Sequence, residues 1–339
     1  INEMALENLP LAVRSSATAE DLPDASFAGQ HDSFLNILGC DAILDAVQRC
    51  YASLFNDRAI KYRIDHGFDH LSVAISVGVQ QLIHAETGSS GVAFSVDPDT
   101  GHEHFLYVSG AWGLCETIVQ GAVNPDEFYF YKPNITTAKT SLVYQRLGSK
   151  DVMMITTHDV NAAHPVQTVP TPEHLRRSWT LTQEQAEQLA TWCMRIESHY
   201  KRHMDIEWAI DGGTRQLFII QARPMTSHVG EGEYGITTYT ISKAAPVLAC
   251  GKAVGQGVVV GAARIIHSLD DAPRVCDGDI IVARMTNPDW NTLLRKARGI
   301  VTNVGGRTSH ASIIARELSI PAIVGTGNAS DVLHDGQVI

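Results

Sequence analysis

The sequence predicts an α/β chain of the α+β kind, built from a large mixed unit followed by a smaller β/α unit. Three observations carry this. Strand-like and helix-like periodicities interleave through the first two-thirds of the chain. An aperiodic, glycine-rich stretch, Met225-Thr-Ser-His-Val-Gly-Glu-Gly-Glu-Tyr-Gly235, follows Pro224. Beyond it, apolar runs of strand length alternate with helical segments, the pattern of β/α units. The expected organisation is a first unit over 1–225, a flexible linker over 226–236, and a second unit over 237–339.

Within the first unit, the apolar run 11–15 breaks into a polar loop over 15–29. Residues Ala42, Ala46, Arg49, Cys50, Ser53 and Leu54 recur at helical spacing, so a helix over 41–64 is expected, with Asp41 as its cap. Segments 73–83, 91–97 and 104–109 read as strands, separated by turn-rich residues at 86–90 and 97–101. Thr182 followed by Gln185 forms a capping box that opens a helix running to about Tyr200. Segments 204–210 and 217–223 flank the turn Asp211-Gly-Gly-Thr214 and read as a hairpin. In the second unit, 258–266, 279–283, 299–303 and 321–324 are expected as strands, and 288–297 and 309–318 as helices.

Composition bounds the function. With 339 residues, 44% apolar and 19% charged, the chain is long enough to bury a sizeable core. A net charge of -11 argues against nucleic acid, whose phosphates recruit Lys and Arg in excess. The six cysteines show no CxxC spacing, so neither a zinc site nor a dithiol centre is indicated, and a reducing, cytoplasmic compartment is expected. No apolar run approaches the roughly 20 residues that span a bilayer, so no membrane partner is expected. Opening on Ile1 and stopping within a strand-like pattern at Ile339, the chain reads as a piece of something longer.

Two places carry chemistry. The segment 301–318 reads strand, glycine turn, polar tip, helix, with His310 at the helix start. Free backbone N–H groups and the positive end of the helix dipole there favour an anion, and a neutral imidazole is a good nucleophile near pH 7. Gly305 and Gly306 permit a tight turn, and Arg307 adds a cation. A plain capping histidine is the bland alternative. In the hairpin, alternation places Asp205 and Glu207 on one face and Ile206, Trp208 and Ile210 on the other. If Glu207 pairs with Gln221, one polar face carries two carboxylates, an amide and the Arg223 guanidinium, suited either to Mg²⁺ with phosphate or to cross-strand ion pairs.

The run Gly305-Gly-Arg-Thr-Ser-His-Ala-Ser-Ile-Ile-Ala-Arg-Glu-Leu-Ser-Ile-Pro-Ala-Ile-Val-Gly325 resembles the swivelling phosphohistidine domain of the PEP-utilising enzymes. Asp205-Ile-Glu-Trp208 followed by Ile220-Gln-Ala-Arg-Pro224 resembles the metal-binding hairpin of that family's ATP-grasp domain. Val13-Arg-Ser-Ser16 with the loop to Gln30 resembles its first phosphate-contacting loop, and 111–126 its glycine-rich segment. The resemblance runs from about Leu11 to Gly325. It implies a partial ATP-grasp-type nucleotide-binding domain followed by the swivelling β/α phosphohistidine domain, incomplete at its C-terminal end. It further implies His310 as the phosphorylated residue, Thr308 as a regulatory threonine, Glu207 and Gln221 as Mg²⁺ ligands, Arg14 and Arg223 at the nucleotide phosphates, and Asp205 among the cofactor-binding residues.

The implied reaction turns ATP, pyruvate and water into AMP, phosphoenolpyruvate and phosphate through a phosphohistidine, in gluconeogenesis. The methionine-rich loop typical of the phosphate-using branch of the family is absent from 24–29, which favours the water-using branch. Implied partners are ATP and pyruvate or phosphoenolpyruvate, a second copy in a homodimer of the full-length enzyme, and a regulatory kinase/phosphorylase acting on Thr308. Cys115, His203 and Val304 depart from the family's usual residues without removing a proposed chemical group. The family's N-terminal lobe and its pyruvate-binding barrel are not in this sequence. The competing readings are a related dikinase with another acceptor (an antibiotic phosphotransferase or a glucan, water dikinase) and a phosphocarrier module without a nucleotide site.

Overall fold

The computed structural model describes residues 9–18, 31–137, 139–157, 165–225, 246–255 and 257–339. The expected linker over 226–236 and most of the loop over 15–29 lie outside the described residues. The architecture is mixed α/β, as the periodicities predict.

Strands β1 (Leu11–Ala17), β2 (Ser33–Ile37) and β3 (Ile75–Gln81) form an antiparallel sheet in the order β2-β1-β3. Where one helix is expected over 41–64, two form: Cys40–Ala52 and Asp57–His66, joined by a 3-10 turn. The break is local chemistry. Asn56 takes an extended backbone and its side chain accepts from the Ala59 amide, so it caps a new helix instead of continuing the old one. The first helix is capped by Gly39 and not by Asp41, which lies in its first turn. Ala46 and Cys50 on that helix pack against Val13 of β1.

The central sheet is antiparallel and six-stranded, in the order β11-β10-β4-β5-β6-β7. Its strands are β4 (Ser89–Phe94), β5 (Phe105–Trp112), β6 (Asp126–Tyr131), β7 (Leu142–Arg146), β10 (Met204–Ile210) and β11 (Leu217–Pro224). A two-stranded ribbon, β8 (Val152–Thr156) with β9 (Val166–Pro170), joins it beside Gly113. One face of the central sheet is covered by helix Gln183–Tyr200, whose capping box is formed as expected: Thr182 accepts from the Gln185 amide and Gln185 from the Thr182 amide.

Ile206, Trp208 and Ile210, all without solvent exposure, meet Leu189, Ala190 and Cys193 of that helix. Each large apolar side chain so buried contributes roughly 1.5–3 kcal/mol. Room for the Trp208 indole comes from Gly91, where a Cβ would stand 2.7 Å from the ring.

The third sheet has the order β12-β16-β15-β14-β13. Strands β13 (Ala263–Ile266), β14 (Ile280–Ala283), β15 (Gly299–Thr302) and β16 (Ala322–Val324) run parallel, and β12 (Lys252–Val254) pairs antiparallel with β16. Continuous burial of β14 and β15 fits a parallel sheet covered on both faces. Two expectations shorten here. Residues 258–262 do not join β13, and the expected helix over 288–297 resolves into a 3-10 turn, Pro288–Trp290, and one helical turn, Asn291–Leu294. The helix expected over 309–318 forms as His310–Glu317 with Ser309 as its N-cap.

Candidate active site

The hairpin β10–β11 pairs in the expected register: Asp205 opposite Arg223 and Glu207 opposite Gln221. Strict alternation would not give this arrangement. Leu217 and Ile219 belong to the core, and with Gln221 and Arg223 they occupy every second position. A bulge intervenes, with Glu207 opposite Gln221 but Trp208 opposite Ile219. The extra residue, Ile220, reverses the alternation and turns Gln221 and Arg223 onto the carboxylate face while Leu217 and Ile219 stay beneath the helix.

That face gathers the residues the sequence singled out. Arg14, from β1 of the neighbouring sheet, donates to Glu207 Oε2 at 2.8 Å. Arg223 donates to Asp205 Oδ2 through Nε at 3.0 Å and lies 2.9 Å away through a terminal nitrogen. Burial holds the Asp205 carboxyl above its usual range, opposed by the Arg223 guanidinium beside it, with the Glu207 charge pushing the same way as burial. Glu116, which the sequence reading passed over, joins the cluster: burial raises its carboxyl, Arg14 opposes, and Glu207 adds to the rise. Cys115 is likewise pushed up by burial and by Glu207. Glu116 gave no signal of its own, since its approach to Glu207 depends on the order of strands in the central sheet, where β4 alone separates β5 from β10.

His310 lies at the first turn of its helix, as predicted, and is 6% exposed. Its surroundings are polar and uncharged. Nδ1 is 3.0 Å from the Thr286 hydroxyl and Nε2 is 2.8 Å from Asn291 Oδ1. Desolvation lowers its pKa to about 3, so the ring is neutral at physiological pH. Thr308 is also buried, at 3% exposure, and its hydroxyl has no hydrogen-bond partner among the described residues.

The histidine tip is seated on the central sheet's loops. The Gly305 amide donates to Asn124 Oδ1 at 3.2 Å. Gly121, at φ +73°, allows the approach: a Cβ there would stand 2.7 Å from Ser309 Cβ. Asp99, in the turn between β4 and β5, accepts from Arg316 at 2.6 and 3.1 Å and from Arg307. Lys252 of β12 pairs with Glu127 of β6 at 3.0 Å, both almost fully buried. Arg307, expected to serve a phosphate on His310, is therefore engaged by Asp99 in this arrangement. Arg316 lowers the Asp205 carboxyl slightly, which sets the histidine helix close to the β10–β11 face.

Comparison with known proteins supplies the family. The family model of the pyruvate phosphate dikinase AMP/ATP-binding domain matches residues 1–239. The chain belongs to that family. A second model, the mobile domain of PEP-utilising enzymes, matches residues 275–339 and contains His310. Among curated relatives, the phosphoenolpyruvate synthases of Escherichia coli (strain K12) and Pseudomonas aeruginosa (strain UCBPP-PA14) are each 47% identical over 331 residues, 98% of this chain. That of Helicobacter pylori (strain ATCC 700392 / 26695) is 42% identical over 346 residues. In each case the match covers 42% of the relative, so the chain spans about two-fifths of the length of these proteins.

Among the described residues no helix is long and apolar enough to cross a membrane, and no group of three or more His, Cys, Asp or Glu is gathered to hold a metal ion.

Proposed function

We propose that this chain is the nucleotide-binding and phosphohistidine-bearing part of a phosphoenolpyruvate synthase, with His310 as the phosphoryl carrier. The observation that carries the reading is an imidazole kept neutral at a helix N-terminus, set by its own glycine turn against the layer that matches the AMP/ATP-binding family. The likeness to phosphoenolpyruvate synthases over 98% of the chain supplies the reaction. On this reading the first unit, 1–225, is a partial ATP-grasp-type domain. The second unit, 237–339, is the mobile phosphohistidine domain.

A His310 ring nitrogen attacks the β-phosphorus of ATP. The N–P bond forms as the bond from that phosphorus to the oxygen of AMP breaks, and AMP leaves. Water then removes the terminal phosphate, leaving a phosphohistidine. The enolate oxygen of pyruvate takes the phosphoryl group, and the N–P bond breaks to restore the neutral ring. Arg14 and Arg223, held in place by Glu207 and Asp205, face the nucleotide phosphates and offset their charge.

The same face suits Mg²⁺. Burial and the Glu207 charge raise the carboxyls of both Glu116 and Asp205, a repulsion that a divalent cation at Glu207 relieves. Glu207 and Gln221 are the proposed ligands, offering hard oxygens beside which phosphate and water complete the shell. Bound there, the ion would draw charge from the phosphoryl oxygens.

Thr308 is proposed as the site of a regulatory kinase/phosphorylase, the whole protein as a homodimer, and its compartment as the cytoplasm.

The deciding experiment is incubation of the whole protein with ATP labelled at the β-phosphate. Acid-labile label on the wild type and none on His310→Ala is expected. Undiminished label on a folded His310→Ala variant would overturn the assignment.

A further inference from the structure

The two polar groups on the His310 ring come from one short segment, and the fold builds that segment with care. Thr286 follows β14 and is 3% exposed. Asn287 caps the next turn by accepting from the Asp289 amide at 3.1 Å. Trp290 is buried in the core of the third sheet beside Leu293 and Leu294, which anchors the turn that carries Asn291. The segment thus leaves its strand, turns and returns, so that Thr286 meets Nδ1 and Asn291 meets Nε2 of the same imidazole.

We propose that Asn291 is a positioning residue for His310: the orientation of its amide is coupled to the tautomer of the ring, with Thr286 as the partner on the other side. This rests on the phosphocarrier reading for its purpose but not for its geometry. The Asn291 carbonyl oxygen only accepts, so the nitrogen facing it, Nε2, carries the proton. Nδ1 is then the lone-pair nitrogen and takes the Thr286 hydroxyl proton. A half-turn of the Asn291 amide presents its NH₂ to Nε2. The ring proton then sits on Nδ1, where the Thr286 oxygen accepts it, and Nε2 becomes the lone-pair nitrogen.

Both arrangements are fully hydrogen-bonded, and both leave the ring neutral. Amide orientation and the identity of the nucleophilic nitrogen are therefore coupled. The amide's neutrality matters as well, because a carboxylate at this place would stabilise the imidazolium and remove the nucleophile. No charged side chain among the described residues acts on the titration of His310, which desolvation alone displaces. The nearest acidic residue of the segment, Asp289, is exposed.

The test compares wild type, Asn291→Asp, Asn291→Ala and Thr286→Val in the whole protein labelled with [¹⁵N]histidine, with the His310 resonance assigned by its loss in His310→Gln. Ring nitrogen shifts report tautomer and protonation without any nucleotide. Expected is a neutral ring with one protonated nitrogen in the wild type from pH 8 down to about 5. Asn291→Asp should raise the ring's pKa by more than about one unit, a tenfold change in proton affinity. Asn291→Ala and Thr286→Val should each shift the ratio of the two tautomers away from that of the wild type. In parallel, labelling by β-labelled ATP should acquire an acid limb in Asn291→Asp that the wild type lacks. Ring shifts and pH profile unchanged in both Asn291 variants would overturn the inference. If the ring responds as expected while no variant, wild type included, takes up label, the positioning role stands and the carrier reading falls.

Discussion

Replacing Asp99 by alanine is expected to release the histidine helix from the central sheet without unfolding either. The Asp99 side chain is 7% exposed and binds Arg316, itself 10% exposed, and Arg307, 25% exposed. Two unit charges about 4 Å apart attract by roughly 4 kcal/mol at an effective dielectric near 20. Desolvation of the carboxylate offsets much of this, but truncation also leaves two guanidinium groups partly buried and unpaired in the seated state. Removing one partner of such a pair typically costs about 2–5 kcal/mol. A weakening of about 2–4 kcal/mol lowers the ratio of seated to released molecules roughly 30- to 1000-fold.

The Gly305–Asn124 hydrogen bond and the Lys252–Glu127 pair remain, so a seated fraction stays measurable. Cys40 and Cys276 are exposed and lie in the first and third sheet regions, so each takes a fluorescent dye once exposed Cys250 is changed to serine. Energy transfer should report one short distance in the wild type at low salt and a broad, longer distribution in Asp99→Ala. Wild-type seating should loosen between about 0.05 and 0.5 M salt as exposed parts of the pair are screened. Identical distance distributions for the two proteins across that range would refute the role given to Asp99.

Three further outcomes are expected. Because His310 titrates near 3 in the folded chain and near 6.5 when unfolded, the unfolded chain binds the extra proton between those values. Stability is therefore complete above about 6.5 and is lost as pH falls towards about 3, and the loss is smaller in His310→Gln; urea melts at pH 7 and pH 5 check the sign. Trp208→Ala should cost about 3–5 kcal/mol in the same melts, because the cavity lies between a helix and a sheet that cannot close over it. Glu207→Ala should raise the Mg²⁺ needed for half-maximal labelling at least about tenfold, while loss of its pair with Arg14 costs only about 1 kcal/mol of stability; equal losses in both assays would favour a structural role.

Local chemistry was legible from the residues alone. The capping box at Thr182, the helix that starts at His310, the turn at Asp211 and the apolar face of β10 all depend on neighbours within a few positions, and all appear where the sequence puts them. The same locality explains the miss at Asn56, whose capping side chain competes with a helical periodicity that runs through it. What the sequence did not contain was distance across the chain. The meeting of Arg14 with Glu207, of Asp99 with Arg307 and Arg316, and of Asn291 with His310 spans 19 to 217 residues.

The bulge at Ile220 shows the division most clearly. Alternation names which side chains are apolar, but only pairing with β10, under the demand that Leu217 and Ile219 stay in the core, decides that Gln221 and Arg223 turn to the other face. Periodicity is a property of one strand, whereas register and burial belong to the sheet and the layers packed on it. A site assembled from several strands is therefore settled by packing, even when every residue in it could be named beforehand.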